Sequence, residues 1–475
     1  MADSANELTV APEVSQGLWA DIKESVRGSH RSYTTGPIGR AILLLAIPMV
    51  LEMIMESVFA VVDIFWVSHL GTDAAATVGL TESLLTLIYA LAIGLSIGAM
   101  AMVARRIGEQ NPDGAARAAV QAIAVALIVS ITIAIIATPL APRLLALMGG
   151  SPWVVEHGVG FTRVMLACNF TVVTLFMVNA IFRGAGDAAI AMRTLWLANW
   201  INIFLGPCLI FGLGPFPKLG IVGAAIATNI GRGTGALVAL IKLFRGGGRF
   251  QIRREHLRID PALMARLVRL SGTATFQVFI GMASWIGLVR IISSFGSNAV
   301  AGYTFGIRVI LFALLPSWGM ANAAATMVGQ ALGAKDPDRA ERAVWKAGFY
   351  NMIFLGIVGI LFVVFAPQII WLYTSDPQVA QFGVDCLRIV AYGFLFYAYG
   401  MVLGQSFNGA GDTWTPTILN LFVFWLWEIP LAYVLSVVLG MGPRGVFFAI
   451  TIAFSTLAVA SALVFRRGKW KSKVV

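Results

Sequence analysis

Charge is what this sequence has least of. Asp, Glu, Lys and Arg make up 12% of its 475 residues, about half the share usual in a soluble domain. A soluble enzyme of this length needs more polar surface than that, so the soluble globular class is excluded. Cysteine is nearly absent: Cys168, Cys208 and Cys386 all lie in apolar stretches, without redox or metal-ligand spacing, and read as buried free thiols. The four histidines, His30, His69, His157 and His256, are scattered and form no ligand pattern. No GxxxxGK[ST] and no nucleophile elbow occur, so neither ATP hydrolysis nor enzymatic catalysis by this chain is expected. No signal peptide is visible in the first 35 residues, which are polar and mixed in charge. Within them Leu18, Trp19, Ile22 and Val26 share one helical face, as in a helix lying on a membrane surface or a frayed tail.

What is present is apolar sequence in long runs, with hydrophobic residues at 58%. Twelve stretches reach the roughly 20 residues that cross a bilayer: about 40–67, 73–103, 116–138, 155–182, 190–213, 219–243, 263–292, 299–329, 342–366, 379–407, 415–439 and 445–465. The expected fold is an all-α integral membrane protein of twelve transmembrane helices. Lys and Arg decide its orientation. The segments on one side hold 26 of them, against Arg143, Lys218 and Arg444 on the other. Both termini are therefore expected in the cytoplasm, with the chain in the inner membrane. The net charge of +11 sits in these loops rather than on a helix face with interleaved aromatics, so no nucleic-acid partner is expected.

An internal repeat organises the chain. Arg105-Arg106-Ile107-Gly108-Glu109-Gln110-Asn111-Pro112-Asp113 returns 225 positions later as Gln330-Ala331-Leu332-Gly333-Ala334-Lys335-Asp336-Pro337-Asp338. The same shift carries Phe182-Arg183-Gly184-Ala185-Gly186-Asp187 onto Phe407-Asn408-Gly409-Ala410-Gly411-Asp412. A duplicated unit of six spans inserts both halves in one direction, with the pseudo-two-fold axis along the membrane normal. The expected divisions are an N-terminal tail (1–35), a first lobe (36–243), a basic linker (244–262) with Gly246-Gly247-Gly248, a second lobe (263–465) and a tail (466–475). Asp187 is expected to cap the helix after its turn.

Ionisable residues inside the spans carry the functional argument, because a mid-membrane carboxylate costs about 2.5–3.5 kcal/mol on insertion scales. Glu52, Glu56 and Asp63 lie within about 40° of one another around the first span, and that face cannot point to lipid. Such a stripe suits exchange of H+ or Na+ and attraction of a cationic substrate. Its structural alternative is neutralisation by buried arginines such as Arg163 or Arg232. Asn199, Asn202, Thr228 and Asn229 in the fifth and sixth spans either complete the site or glue helices together. In the second lobe Asp385 and Arg388, three residues apart, are expected to neutralise each other. Glu428, before Pro430, has no local partner. Pro48 in the first span allows a kink or a hinge. The aromatics Trp196, Trp200, Tyr397, Tyr399, Trp425 and Trp427 read mainly as packing or interface belt, and some as walls of an aromatic cleft.

Taken in order, Ala46-Ile47-Pro48, Val62-Asp63-Ile64-Phe65 before Leu70-Gly71, the Pro-Asp loops and the paired Phe-(Arg/Asn)-Gly-Ala-Gly-Asp loops resemble the multidrug and toxic compound extrusion family over residues 36–468. The resemblance implies an antiporter driven by H+ or Na+ that exports organic, often cationic, amphiphiles by alternating access. It implies cation coupling at Asp63, with Asn202 and Thr228 in the same network, and Glu56 on the same face of the first span is expected to join them. Asp63 would ligate the metal ion if that ion is Na+. Glu52, Asn199, Gln277 and Glu428 are expected to line the substrate cleft. The family's fifth-span Asn-x-x-x-Asp-Pro here reads Asn202 to Pro207 with Gly206 in place of the aspartate, and Glu52 and Glu56 are the candidates for the missing charge. Gln277 stands near the family's seventh-span glutamate. The pattern is closer to the DinF-like branch. No cofactor is expected beyond the coupling ion. The expected partners are small organic substrates and the bilayer, with the chain a monomer. The competing reading is a lipid-linked or polysaccharide flippase of the same superfamily.

Overall fold

The computed structural model describes residues 18–29 and 31–474, and no strand occurs among them. Ten helices are long and apolar enough to cross a membrane, and two further spans are each a bent pair, which gives twelve. In the first half these are span 1 (Ile38–Ser68), span 2 (Thr72–Gly108), span 3 (Pro112–Leu147), span 4 (Val159–Ala167 with Asn169–Ala185), span 5 (Ala188–Phe211) and span 6 (Ile221–Arg245). The second half repeats them as span 7 (Pro261–Ser293), span 8 (Ser297–Gly333), span 9 (Pro337–Trp371), span 10 (Pro377–Ala391 with Phe394–Gly409), span 11 (residues 414–438) and span 12 (Pro443–Arg466).

The 225-residue offset holds at the level of single dihedral angles. Spans 3 and 9 begin with proline in the first turn, behind a side chain that accepts a backbone N–H: Asn111 from Gly114 and Asp336 from Arg339. The residues before those caps, Gln110 and Lys335, are the two non-glycine residues described with positive φ, at 56° and 59°. Span 4 breaks at Cys168 with a 41° bend, and span 10 breaks around Gly393 with a 61° bend, again 225 positions apart. Span 11 has no such twin in span 5. It is π-helical over Leu421–Glu428 and Val434–Val438, on either side of the turn holding Pro430, which cannot donate a backbone hydrogen bond.

Spans 2 and 8 contain 37 residues each, about 55 Å of helix, so they project well past a bilayer of about 30 Å. Arg105 and Arg106, expected in a loop, form the last turn of span 2. At this basic end the halves pack backbone against backbone. A Cβ on Gly108 would stand 2.0 Å from the Gln330 carbonyl oxygen, and one on Gly319 would stand 2.7 Å from that of Met49. Glycine is required at both places for the lobes to touch. Residues 95–105 of span 2 and 321–333 of span 8 are accordingly buried almost throughout. Toward the opposite end no such run of burial continues along span 1, where Val58, Val61 and Phe65 are exposed.

Both chain ends cover the basic end. The helix Leu18–Arg27 ties to the first lobe where Asp21 pairs with Arg40 at 2.6 Å and Arg193 donates to the Val26 carbonyl. Its Trp19 is exposed. Asp187 begins span 5 without capping it. Its carboxylate instead accepts from the Arg249 backbone N–H at 2.6 Å and pins the linker.

Candidate ion and substrate site

Span 1 is one continuous helix through Pro48, and its three acids meet three different environments. Glu52, 1% exposed, accepts from Arg183 at 2.6 Å and from Asn179 at 3.4 Å. Asn179 and Arg183 are one turn apart on the second half of span 4, so a single helix face presents both donors. Thr194 of span 5 donates to the Asn179 carbonyl oxygen at 2.9 Å and orients that amide. Glu56 pairs with Arg232 of span 6 at 2.6 Å, and its other oxygen accepts from Asn199 of span 5 at 3.2 Å. The Arg232 guanidinium also lies over the Phe59 ring, 5.0 Å from its centroid.

Asp63, nearer the C-terminal end of span 1, makes no hydrogen bond or ion pair among the described residues. The charged groups whose fields act on it are Glu82 and Arg232. Asn202 and Thr228 bond to each other at 2.7 Å rather than to Asp63. Thr171 donates to Asn229 at 2.8 Å. The candidate coupling residues therefore divide into a paired network around Glu52 and Glu56 and one carboxylate without a partner. A Cβ on Gly206 would meet only the Asn202 side-chain oxygen, at 3.9 Å, so the space an aspartate would take in span 5 is open.

Of the arginines expected to neutralise the stripe, Arg232 does so. Arg163 is exposed and pairs with neither glutamate. The partner of Glu52 is Arg183, which the sequence places beside a turn and the structure places in the core. Asp385 and Arg388 do not neutralise each other: Asp385 pairs with Arg444 at 2.7 Å, while Arg388 donates to the Val363 carbonyl. One turn of helix brings two Cβ atoms together, but these side chains reach different neighbours, span 12 and span 9.

The second lobe holds a cavity of about 530 Å³, a size suited to a drug-like molecule. Gln277 lines it, and its amide oxygen is buried without a hydrogen-bond partner. Trp285, Trp318, Tyr397 and Phe424 supply aromatic walls, and Tyr397 stacks on Phe454 at 3.8 Å between centroids. Thr86 and Ile97 of span 2 close it from the first lobe. Glu428, 1% exposed in the π-helical stretch, has one buried oxygen without a partner and is not part of the lining. Glu82 of span 2 and Arg308 of span 8, which sequence reasoning passes over, interact electrostatically across the two lobes. Their signal was present, because each is a lone charge within an apolar span.

A family model described as MatE matches the chain twice, over residues 48–208 and 273–434, and its two starts are 225 residues apart. The probable multidrug resistance protein YoeA of Bacillus subtilis (strain 168) is 26% identical over 444 residues, covering 92% of this chain and 95% of that protein. The probable multidrug resistance protein NorM of Thermotoga maritima is 25% identical over 441 residues, covering 92% and 94%. A solved structure described as the outward-facing conformation of a multidrug resistance MATE family transporter of the MOP superfamily aligns with a TM-score of 0.87 at 29% identity. It covers 95% of this chain and 98% of its own.

Proposed function

The chain belongs to the multidrug and toxic compound extrusion (MatE) family, a multi-pass membrane transporter, and on that premise we propose that it is a secondary antiporter that couples entry of H+ or Na+ at Asp63 to export of organic molecules. The observation that carries this reading is the inequality of the three acids on span 1. Two are held by arginines, and the third is free to exchange a cation. A carboxylate already bound to a guanidinium at 2.6 Å gives up that partner only at high cost. Asp63 has none to give up among the described residues.

Alternating access supplies the cycle. The cleft that parts away from the basic loops loads a cation on Asp63, cargo leaves, and the lobes rock to open at the basic end. The positive-inside rule makes that end cytoplasmic. The relation to an outward-facing MATE structure supports the direction of the open cleft. The expectation of a cationic cargo came from the acidic stripe and from the family resemblance. With two of the stripe's three carboxylates paired, the charge of the cargo depends on the second-lobe cavity instead. The flippase reading is the weaker one, because no basic residue lines that cavity to hold a pyrophosphate.

The test uses full-length protein in liposomes with an imposed H+ or Na+ gradient and two aromatic probes in turn, cationic ethidium and uncharged lumichrome. Transport of either probe under one gradient, lost in Asp63→Asn, supports the assignment and identifies the ion. Movement that needs no gradient, or that survives Asp63→Asn at the native rate, overturns it.

A further inference from the structure

The second-lobe cavity is large enough for two or three fused rings, and its lining is uncharged throughout among the described residues. An organic cation placed there would lose its hydration without meeting a carboxylate, a penalty of several kcal/mol for an unpaired buried charge. No charged side chain among the described residues lines it to remedy this, and Glu82 on span 2 and Arg308 on span 8, which interact across the lobes, carry opposite signs. Arg308 also borders an adjoining apolar cavity of about 350 Å³ that shares Leu311, Trp318 and Met401, so the one charged side chain lining either cavity among the described residues is positive.

What the cavity does offer is specific. Gln277 presents a buried amide oxygen with no partner, an acceptor whose desolvation is offset only by an incoming N–H or O–H. Asn420 of span 11 and Gln405 of span 10 add further amides. Trp285, Trp318 and Tyr397 offer flat faces, whose large apolar areas favour stacking of a planar ring system. We propose that this cavity binds an uncharged planar aromatic molecule bearing hydrogen-bond donors, one of which is received by Gln277. As a statement about cargo it rests on the transport reading above; as a statement about binding it stands on the cavity alone.

Equilibrium binding to full-length protein in lipid nanodiscs, with empty nanodiscs as the blank, separates the two. Lumichrome, planar and uncharged with ring N–H donors, is expected to bind at least about tenfold more tightly than ethidium. Gln277→Leu keeps the volume, removes the acceptor and is expected to weaken lumichrome about tenfold. Gln277→Glu supplies the absent counter-charge and is expected to raise ethidium affinity by a similar factor. Ethidium binding native protein as tightly as lumichrome overturns the proposal. So does lumichrome binding that Gln277→Leu leaves unchanged, or no lumichrome binding up to its solubility limit. Lumichrome binding as expected without gradient-driven transport overturns the antiport reading and leaves the cavity assignment standing. Preferential ethidium binding with transport that depends on Asp63 does the reverse.

Discussion

Glu52, Glu56 and Asp63 share one helix and nearly one face, yet their partners assign them different work. Removing the charge of Glu52 strands the Arg183 guanidinium in a core position, and breaking one side of a buried pair costs about 3–5 kcal/mol. Glu52→Gln is therefore expected to lower the thermal unfolding midpoint in detergent clearly, while adding Arg183→Met to it restores part of the loss. Equal midpoints for the single and double variants would sink the pairing argument. Asp63→Asn breaks no hydrogen bond or ion pair among the described residues, so its midpoint is expected to stay near native while gradient-driven export is lost. A large drop in stability for Asp63→Asn would return that residue to a packing role. The stripe itself was legible in the sequence, because helical periodicity alone aligns positions 52, 56 and 63. The partner of Glu52 was not, because no local rule says that span 4 turns Asn179 and Arg183 toward span 1.

At the scale of helices the decisive feature is the small-residue contact between the lobes at the basic end. Valine at Gly319 would press against the Met49 backbone, which cannot yield as a flexible side chain can. Gly319→Val is therefore expected to hold the basic end apart. Spin labels on cysteines introduced at Glu109 and Arg342, with the three native cysteines replaced, are expected to move farther apart in the variant by double electron–electron resonance. An unchanged distance distribution would mean that this contact does not govern closure. The repeat predicted that the two halves match, and caps, positive-φ residues and helix breaks all recur at the one offset. The bends at Cys168 and Gly393 were not foreseen, since neither position carries proline. Span 11 departs from span 5 because Pro430 and the π-helical turns around it are not duplicated.

Across the whole molecule, the chain ends bridge the lobes at the basic end. Arg339 of span 9 donates to the carbonyls of Tyr33, Thr35 and Gly36 at 2.8–3.1 Å. Tyr33 in turn bonds the Gly186 carbonyl of the first lobe and lies under Arg249 of the linker. At the other terminus, Arg105 of span 2 donates to the Lys473 carbonyl at 2.6 Å, and Lys471 pairs with Glu341 at 2.6 Å. Arg339→Ala removes four of these bonds. Amides of residues 31–36 are expected to exchange with deuterium markedly faster in that variant, and native exchange rates would show that the segment is held by something else. Composition and hydropathy determined by themselves that the chain lives in a membrane. The run lengths gave twelve helices and the constant offset gave the duplication, because those properties follow from local burial and from periodicity. Only the tertiary structure decided which acid is left without an arginine, at which end the lobes pack together, and that the 530 Å³ second-lobe cavity has an uncharged lining among the described residues. Each of these depends on which faces of distant helices meet, and helix period fixes a side chain's angle around its own axis but not the neighbour it will find there.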